Sequence, residues 1–438
     1  MYLYRRSQNS KDKLVMKRKL LFNILFIFLL IVIPLFIGEL LFRYLLFSQQ
    51  SPFPQLKDPN KYSKTSEDNY WKLHYKFGKD IYVPKYPHPL LGWTGFFDSK
   101  TLDHWDMNPP NNNRKVLIYG DSYIMCAHDS IQCFHEILNA DTTFNRNNLL
   151  LNYGVGGYGV DQIYLLFTNT VDKFENPFVI FSIMPGDMDR CLLSVRDGQK
   201  PYYAIGNDSL VLKGVPIDSI PSHYFETNPP EITSYLWKRF LNTKLNPYFD
   251  PLPTNNELRN KILSLNKKII LRALSDIKKR NLQYVFLIFD ELWNEEGAWR
   301  VDSLQKFMAE KNILFINTGN LVAEDTSLGK YEYSNYTIHG DGHPNSHYNK
   351  LICEEIKKYI FNYNTYPAQR QNLWVEKKSD NSIEYFEKKI RNSPDWLKQV
   401  IEKAKARNIP INIMIRMDAI WSHEHSNEKK SMYGTKGK

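Results

Sequence analysis

"VLIYGDSYIM", residues 116–125, runs four apolar residues into Gly-Asp-Ser and then turns apolar again. Val116 to Tyr119, bounded by polar residues before and Gly120 after, reads as a strand buried on both faces of a parallel sheet. In open α/β sheets ligands bind outside the carboxyl ends of the strands, so Asp121 and Ser122 stand where a crevice forms. On these ten residues alone, Asp121 or Ser122 capping the next helix is the simpler reading.

Working outward, the same alternation continues. Strands are expected at 115–120, at "LLLNYGV" (149–155), at "FVIFSIM" (178–184), at "YVFLIF" (284–289) and at "ILFIN" (313–317). Helices are expected from about 123, from Asp161, and near 258–280, 300–311 and 346–363. Strands separated by helical patterns predict an α/β domain, a parallel sheet with helices on both faces. The 438 residues, 42% hydrophobic and 14% aromatic, suffice for a sizeable core.

The formal charge of +10 is concentrated at the start of the chain. Residues 1–19 carry Arg5, Arg6, Lys11, Lys13, Lys17, Arg18 and Lys19 against Asp12 alone, so the remainder is only mildly basic and no nucleic-acid partner is implied. The segment that follows, residues 20–47, has one strongly polar residue, Asn23, between Leu20 and Gly38, and its length matches one transmembrane helix. No small-residue cleavage site follows, so an uncleaved anchor is expected, with its basic flank placing the N-terminus in the cytoplasm and the rest outside. Pro34 and Glu39 are tolerable in such a helix.

Three later segments each follow the carboxyl end of an expected strand: "NYGVGGYGVDQ" (152–162), "PGDMDR" (185–190) and "HGDGHPN" (339–345). A doubly wound sheet gathers them on one rim. A serine, glycine amides and an aspartate two residues before a histidine are the parts of an acyl-transfer site. His343 can take the proton of Ser122, Asp341 can hold the imidazole in the right tautomer, and the amides of Ser122 and Gly157 can stabilise an oxyanion. A dinucleotide reading of "GVGGYG" fails, because the segment lacks the GxGxxG spacing and follows the second strand. His339 is a rival base without the following Pro-Asn.

GDS after the first strand, NxGxxG after the second, and the late Asp with HPN resemble the SGNH (GDSL-type) hydrolase superfamily over roughly residues 86–365. With "LGW" and "GYGVDQ", the chain is similar to membrane-anchored bacterial members. The resemblance implies a flavodoxin-like three-layer α/β/α sandwich, Ser122 as nucleophile, Gly157 as oxyanion donor, His343 as base and Asp341 as its partner. It implies no cofactor and no metal. The family's third block, GxND, is replaced by "MPGDMDR"; depending on alignment, Gly186, Asp187 or Met188 stands in the place of the Asn that completes the oxyanion hole. The spacing DxH replaces the commoner DxxH.

The implied activity is that of a serine esterase on acyl or acetyl esters of envelope or extracellular carbohydrate. The alternatives are a polysaccharide O-acyltransferase using the same serine, and a non-catalytic envelope protein that binds glycan or assists assembly. The implied location is the bacterial cytoplasmic membrane, single-pass, with the catalytic domain outside.

The expected organisation is a basic segment (1–19), an anchor (20–47), a linker (48–85), the hydrolase-like domain (86–365) with a lid-like insertion (191–258), and a C-terminal helical appendage (378–438). The insertion holds a hairpin at 200–217 and then Tyr224, Phe225, Tyr235, Trp237, Phe240, Tyr248 and Phe249, which suit either sugar stacking or packing onto the body. Arg190 and Arg196 are expected to pair with Asp187 and Asp189. The appendage begins a helix at Ser393-Pro394 and is a candidate docking element for an envelope protein. Cys126 and Cys133, placed on one helix, stand about 10 Å apart and are expected not to bridge. Interleaved with His128 and His135, they lack the common zinc spacings.

Overall fold

The computed structural model describes residues 2–48, 52–78, 87–107, 112–126, 128, 130–207, 209–241, 255–290, 297–325, 327, 333–366, 383–407 and 409–433. In chain order the helices are α1 (Tyr2–Phe47), α2 (Asp68–Lys76), α3 (Ser122–Met125), α4 (Phe134–Ala140), α5 (Thr142–Asn145), α6 (Val160–Thr170), α7 (Pro221–Thr227), α8 (Tyr235–Leu241), α9 (Asn255–Lys279), α10 (Ala298–Glu310), α11 (Thr318–Glu324), α12 (Ser346–Phe361), α13 (Ile383–Asn392), α14 (Pro394–Arg407) and α15 (Ile411–Tyr433). The strands are β1 (Pro87–His88), β2 (Gly92–Trp93), β3 (Arg114–Gly120), β4 (Asn148–Gly154), β5 (Phe178–Ile183), β6 (Tyr202–Gly206), β7 (Ser209–Lys213), β8 (Gln283–Ile288) and β9 (Phe315–Asn317). Two units form: Met1–Tyr82 with Ser222–Asn255, and Val83–Pro221 with Asn256–Lys438.

The larger unit is built on the apolar strands read from the sequence. Five of them form one parallel sheet in the order β4-β3-β5-β8-β9. This is the flavodoxin-like arrangement, and its connection reverses direction between β3 and β5. The carboxyl ends of those two strands carry Ser122 and the Pro185–Leu192 turn. Along β3 the side chains alternate between two cores. Leu117 and Tyr119 join the core that includes α6, α9 and α10, and Val116 and Ile118 the core that includes α4 and α12. The larger unit is therefore an α/β/α sandwich.

The C-terminal helices belong to that second core. Phe386, Ile390, Val400, Ala404, Ile413, Met414 and Ile415 are buried in the same cluster as Val116 and Ile118, and Arg416 reaches Asn320 of α11. Expected as a separable appendage, α13–α15 bury their apolar faces on the sheet's own layer; residues 378–382 and 434–438 lie outside the described residues.

The smaller unit contains α1, whose stretch Leu21–Phe47 is long and apolar enough to cross a membrane. The stretch expected to be a bare linker contains α2, and it buries Tyr62, Leu73 and Phe77 with Leu46, Ile232 and Tyr235. The insertion is thus divided between the units. Its hairpin, β6 with β7, forms as expected in the larger unit, whereas Tyr224, Phe225, Tyr235 and Trp237 are in the smaller one. Phe225 stacks on Tyr75 at 4.1 Å. Tyr248 and Phe249 lie outside the described residues.

Candidate active site

β3 ends at Gly120, and Asp121 becomes the N-cap of α3, its Oδ1 accepting the Tyr123 N–H at 2.9 Å. Ser122 is the first residue of that helix. Across the sheet end, the turn 338–345 is closed by the Ile338 N–H donating to His343 O at 2.8 Å, with Gly340 and Gly342 at positive φ. Asn345 then caps α12 by accepting the Tyr348 N–H at 3.0 Å. The HPN segment therefore fixes where His343 points. His343 Nε2 lies 2.9 Å from Ser122 Oγ, and its Nδ1 lies 2.7 Å from Asp341 Oδ1. With Nδ1–H donating to the carboxylate, Nε2 is left as the acceptor facing the serine. His339 is exposed in the same turn.

Asp341 has a second partner that the sequence reading did not assign. Its Oδ2 lies 2.6 Å from His128 Nε2. Burial works to raise the Asp341 carboxyl, but the hydrogen bonds and charges of His343 and His128 outweigh it and hold the group below its ordinary range.

His128 reaches this place because the expected continuous helix does not form. α3 stops at Met125, Cys126 takes a left-handed conformation (φ 58°), and Cys133 starts α4. The two Cα atoms lie 5.7 Å apart, and Cys126 and Cys133 form a disulfide. The expectation that they cannot bridge is corrected: it assumed helical spacing across a segment that is a loop. Closing so short a loop removes about 2–3 kcal/mol of unfolded-state chain entropy. Replacing both cysteines by serine is expected to lower stability by that order and to cut turnover severalfold through the loosened His128 contact, read by thermal melts and ester kinetics.

The glycine loop is held against the Ser122 turn. The Val155 N–H donates to Gly120 O at 3.0 Å. A Cβ at Gly154 would stand 2.4 Å from the Met125 nitrogen, so only glycine permits this approach. Gly157 takes φ +83°, and a Cβ there would meet Arg196 Nη1 at 2.6 Å. The LGW segment supports the loop from outside: Trp93 Nε1–H donates to Gly156 O at 2.9 Å, the Tyr158 hydroxyl donates to Trp93 O, and Gln162 Nε2 donates to Leu91 O at 2.9 Å.

Asp187 is engaged elsewhere than the serine hydroxyl. It forms an ion pair with Arg190, and its carboxyl faces that of Asp121 within hydrogen-bonding reach. Arg196 pairs with the neighbouring Asp197, and Asp189 with Arg300 at 2.7 Å, so only the expected Arg190–Asp187 pairing forms. Asp121, Asp187 and Asp197 thus face two guanidinium groups, Arg190 and Arg196. Asp121 is buried and Asp187 and Asp197 are part-buried, and the mutual repulsion of neighbouring carboxyls favours protonation of one of them. Burial, opposed by Arg190 and reinforced by Asp121, pushes Asp187 up to about 8, and burial also raises Asp121.

A carboxyl raised from 3.8 to about 8 contributes stability that is fully present below the lower value and is lost as pH rises through the higher one. We expect stability to fall between those limits by at most about 1.4 kcal/mol per pH unit. Asp187→Asn, which keeps the shape without the charge, is expected to flatten that slope in melts taken across pH.

No family model matches the chain, and no curated protein matches it. Solved structures similar to it include a catalytic mutant of an acetylxylan esterase from Geobacillus stearothermophilus, 13% identical over 57% of this chain and 95% of that one, TM-score 0.33. A member of the lipolytic protein G-D-S-L family from Veillonella parvula is 12% identical over 56% of this chain and 97% of that one, TM-score 0.32. An alpha/beta hydrolase from the metagenome of Lake Arreo, Spain, is 16% identical over 55% of this chain and 91% of that one, TM-score 0.30.

Proposed function

We propose that the chain is a membrane-anchored serine esterase of SGNH type that removes acyl groups, acetyl foremost, from carbohydrate outside the cytoplasm. The observation that carries this reading is the relay Ser122 Oγ to His343 Nε2 at 2.9 Å and His343 Nδ1 to Asp341 Oδ1 at 2.7 Å. In the first half-reaction His343 takes the Ser122 proton as Oγ attacks the ester carbonyl. The backbone amides of Ser122 and Gly157 stabilise the oxyanion, and the imidazolium protonates the departing sugar oxygen. In the second, His343 deprotonates a water that attacks the acyl-serine, releasing the carboxylic acid and restoring the hydroxyl.

The extracytoplasmic location is supported by the Cys126–Cys133 disulfide, a bond that persists in oxidising compartments, and by the basic residues 5–19 that precede the apolar stretch of α1. Carbohydrate as the alcohol part is what the family resemblance implies. The test is acetate release from acetylated xylo-oligosaccharides by the full chain in detergent, with and without unacetylated sugar acceptors. Ser122-dependent release into water is the expected result. Acetyl appearing on the acceptor in place of free acetate would make the protein a transferase, and no turnover by folded protein would overturn the esterase reading.

A further inference from the structure

The aromatic part of the insertion, 222–241, has no place in the acyl-transfer chemistry, and it packs on α1, whose stretch Leu21–Phe47 is, among the described residues, the one long and apolar enough to cross a bilayer. Leu21 to Gly38 rises about 26 Å at 1.5 Å per residue, close to the thickness of a hydrocarbon core. Among the described side chains, Leu21, Phe22 and Leu25 to Ile37 are exposed. From Gly38 outward the helix has two different sides. Glu39, Phe42, Arg43 and Leu46 meet protein, while Leu40, Leu41 and Tyr44 remain 51%, 59% and 72% exposed.

The covering element is α8. A Cβ at Gly38 would touch Leu236 Cδ2 at 3.6 Å. The Glu39 carboxylate accepts the Tyr235 and Leu236 N–H groups, each at 2.9 Å, and the Ser234 hydroxyl at 2.8 Å; it also accepts from Arg43 Nε at 2.7 Å. Arg43 in turn donates to Ile232 O and Thr233 O at 3.0 and 2.8 Å and lies over the Tyr235 ring at 4.8 Å. An ionisable side chain at the end of an apolar span is costly unless paired, and here the start of α8 supplies the partners. The next residues are Trp237, 51% exposed, then Lys238 and Arg239.

We propose that α8 is an interfacial collar: it lies in the phospholipid headgroup layer of the membrane that α1 crosses, with Trp237 seated among the glycerol and upper acyl groups and Lys238 and Arg239 directed to lipid phosphates. Depth, side-chain chemistry and continuity with the span agree. The α8 start is clasped where about one hydrocarbon thickness of helix ends, and Trp and basic residues are the types that hold that level. The proposal rests on the membrane reading of α1.

The test uses the full chain in phosphatidylcholine vesicles whose acyl chains are brominated either near the glycerol or near the methyl end. The wild type minus Trp237→Phe difference isolates one indole emission. We expect shallow bromines to quench it at least about twofold more than deep ones, with Leu25→Trp in the Trp237→Phe background showing the reverse order. A nitroxide on Lys238→Cys gives the depth independently should the phenylalanine variant misfold. Failure to float with vesicles would overturn the anchor reading itself. Flotation with Trp237 unquenched by either lipid, or with the nitroxide at position 238 as open to a water-soluble relaxation agent as a fully aqueous label, would overturn the collar alone.

Discussion

Ser122→Ala is expected to lower kcat on an acetyl ester by about a million-fold while leaving the fold intact. Its hydroxyl is the one group placed 2.9 Å from the Nε2 of a histidine that is itself oriented by a carboxylate. Removing it deletes the covalent step. The residual rate comes from the oxyanion donors and binding, and amounts to about a thousandfold over water. Stability is expected to stay within about 0.5 kcal/mol of wild type, because the N-cap that holds α3 is Asp121 and not Ser122. Steady-state kinetics beside a melt separates this outcome from misfolding, which would lower both.

Asp341→Ala is expected to cost about ten-thousand-fold in kcat, since the imidazole loses the partner that selects its tautomer and stabilises its charged form. The second histidine makes the amide variant informative. In Asp341→Asn, the amide oxygen can still accept from His343 Nδ1–H if its nitrogen faces the other partner, and His128 Nε2, 2.6 Å from Oδ2 in the native chain, can accept that N–H. Asp341→Asn is therefore expected to retain more activity than Asp341→Ala. His128→Ala, costing about tenfold alone through one lost hydrogen bond, is expected to cost more in the Asn background. Equal effects in both backgrounds would show that His128 does not orient the group at 341.

Much of the fold was legible because it rests on short-range patterns. The apolar runs at 116–119, 178–184 and 284–289 are buried on both faces, and parallel strands of that kind need no alternation to be recognised. The positions of Ser122 and His343 were legible for the same reason: one stands at a strand end and the other beside a Pro-Asn turn, and the geometry of both is local. His128 was not, because its placement depends on where α3 stops. A left-handed Cys126 carries no sequence signal as a glycine would, and helical spacing carried across it also hid the disulfide. The two cysteines flanking a histidine in "CAHDSIQC" were the available clue. The partition of the insertion was equally hidden, since Glu39 and Tyr235 meet across 196 residues of sequence and only a folded chain shows it.

Asp187 shows a third kind of limit. The sequence places an acidic residue where the resemblance expects an amide, and charge alone suggests repulsion of an oxyanion. The structure adds what the sequence does not show: Asp121, Asp187 and Asp197 gather around the Arg190 and Arg196 guanidiniums, with Asp121 directly before Ser122. Burial and the facing carboxyls raise Asp187 and Asp121 beside the Ser122 turn, which favours a neutral acid at that place.

The most direct test of the account is to label the full chain in detergent with a serine-directed fluorophosphonate and map the adduct by mass spectrometry. The account predicts one adduct, on Ser122, lost in Ser122→Ala and slowed in Asp341→Ala. A folded chain that takes no label, or takes it on another residue, would contradict it.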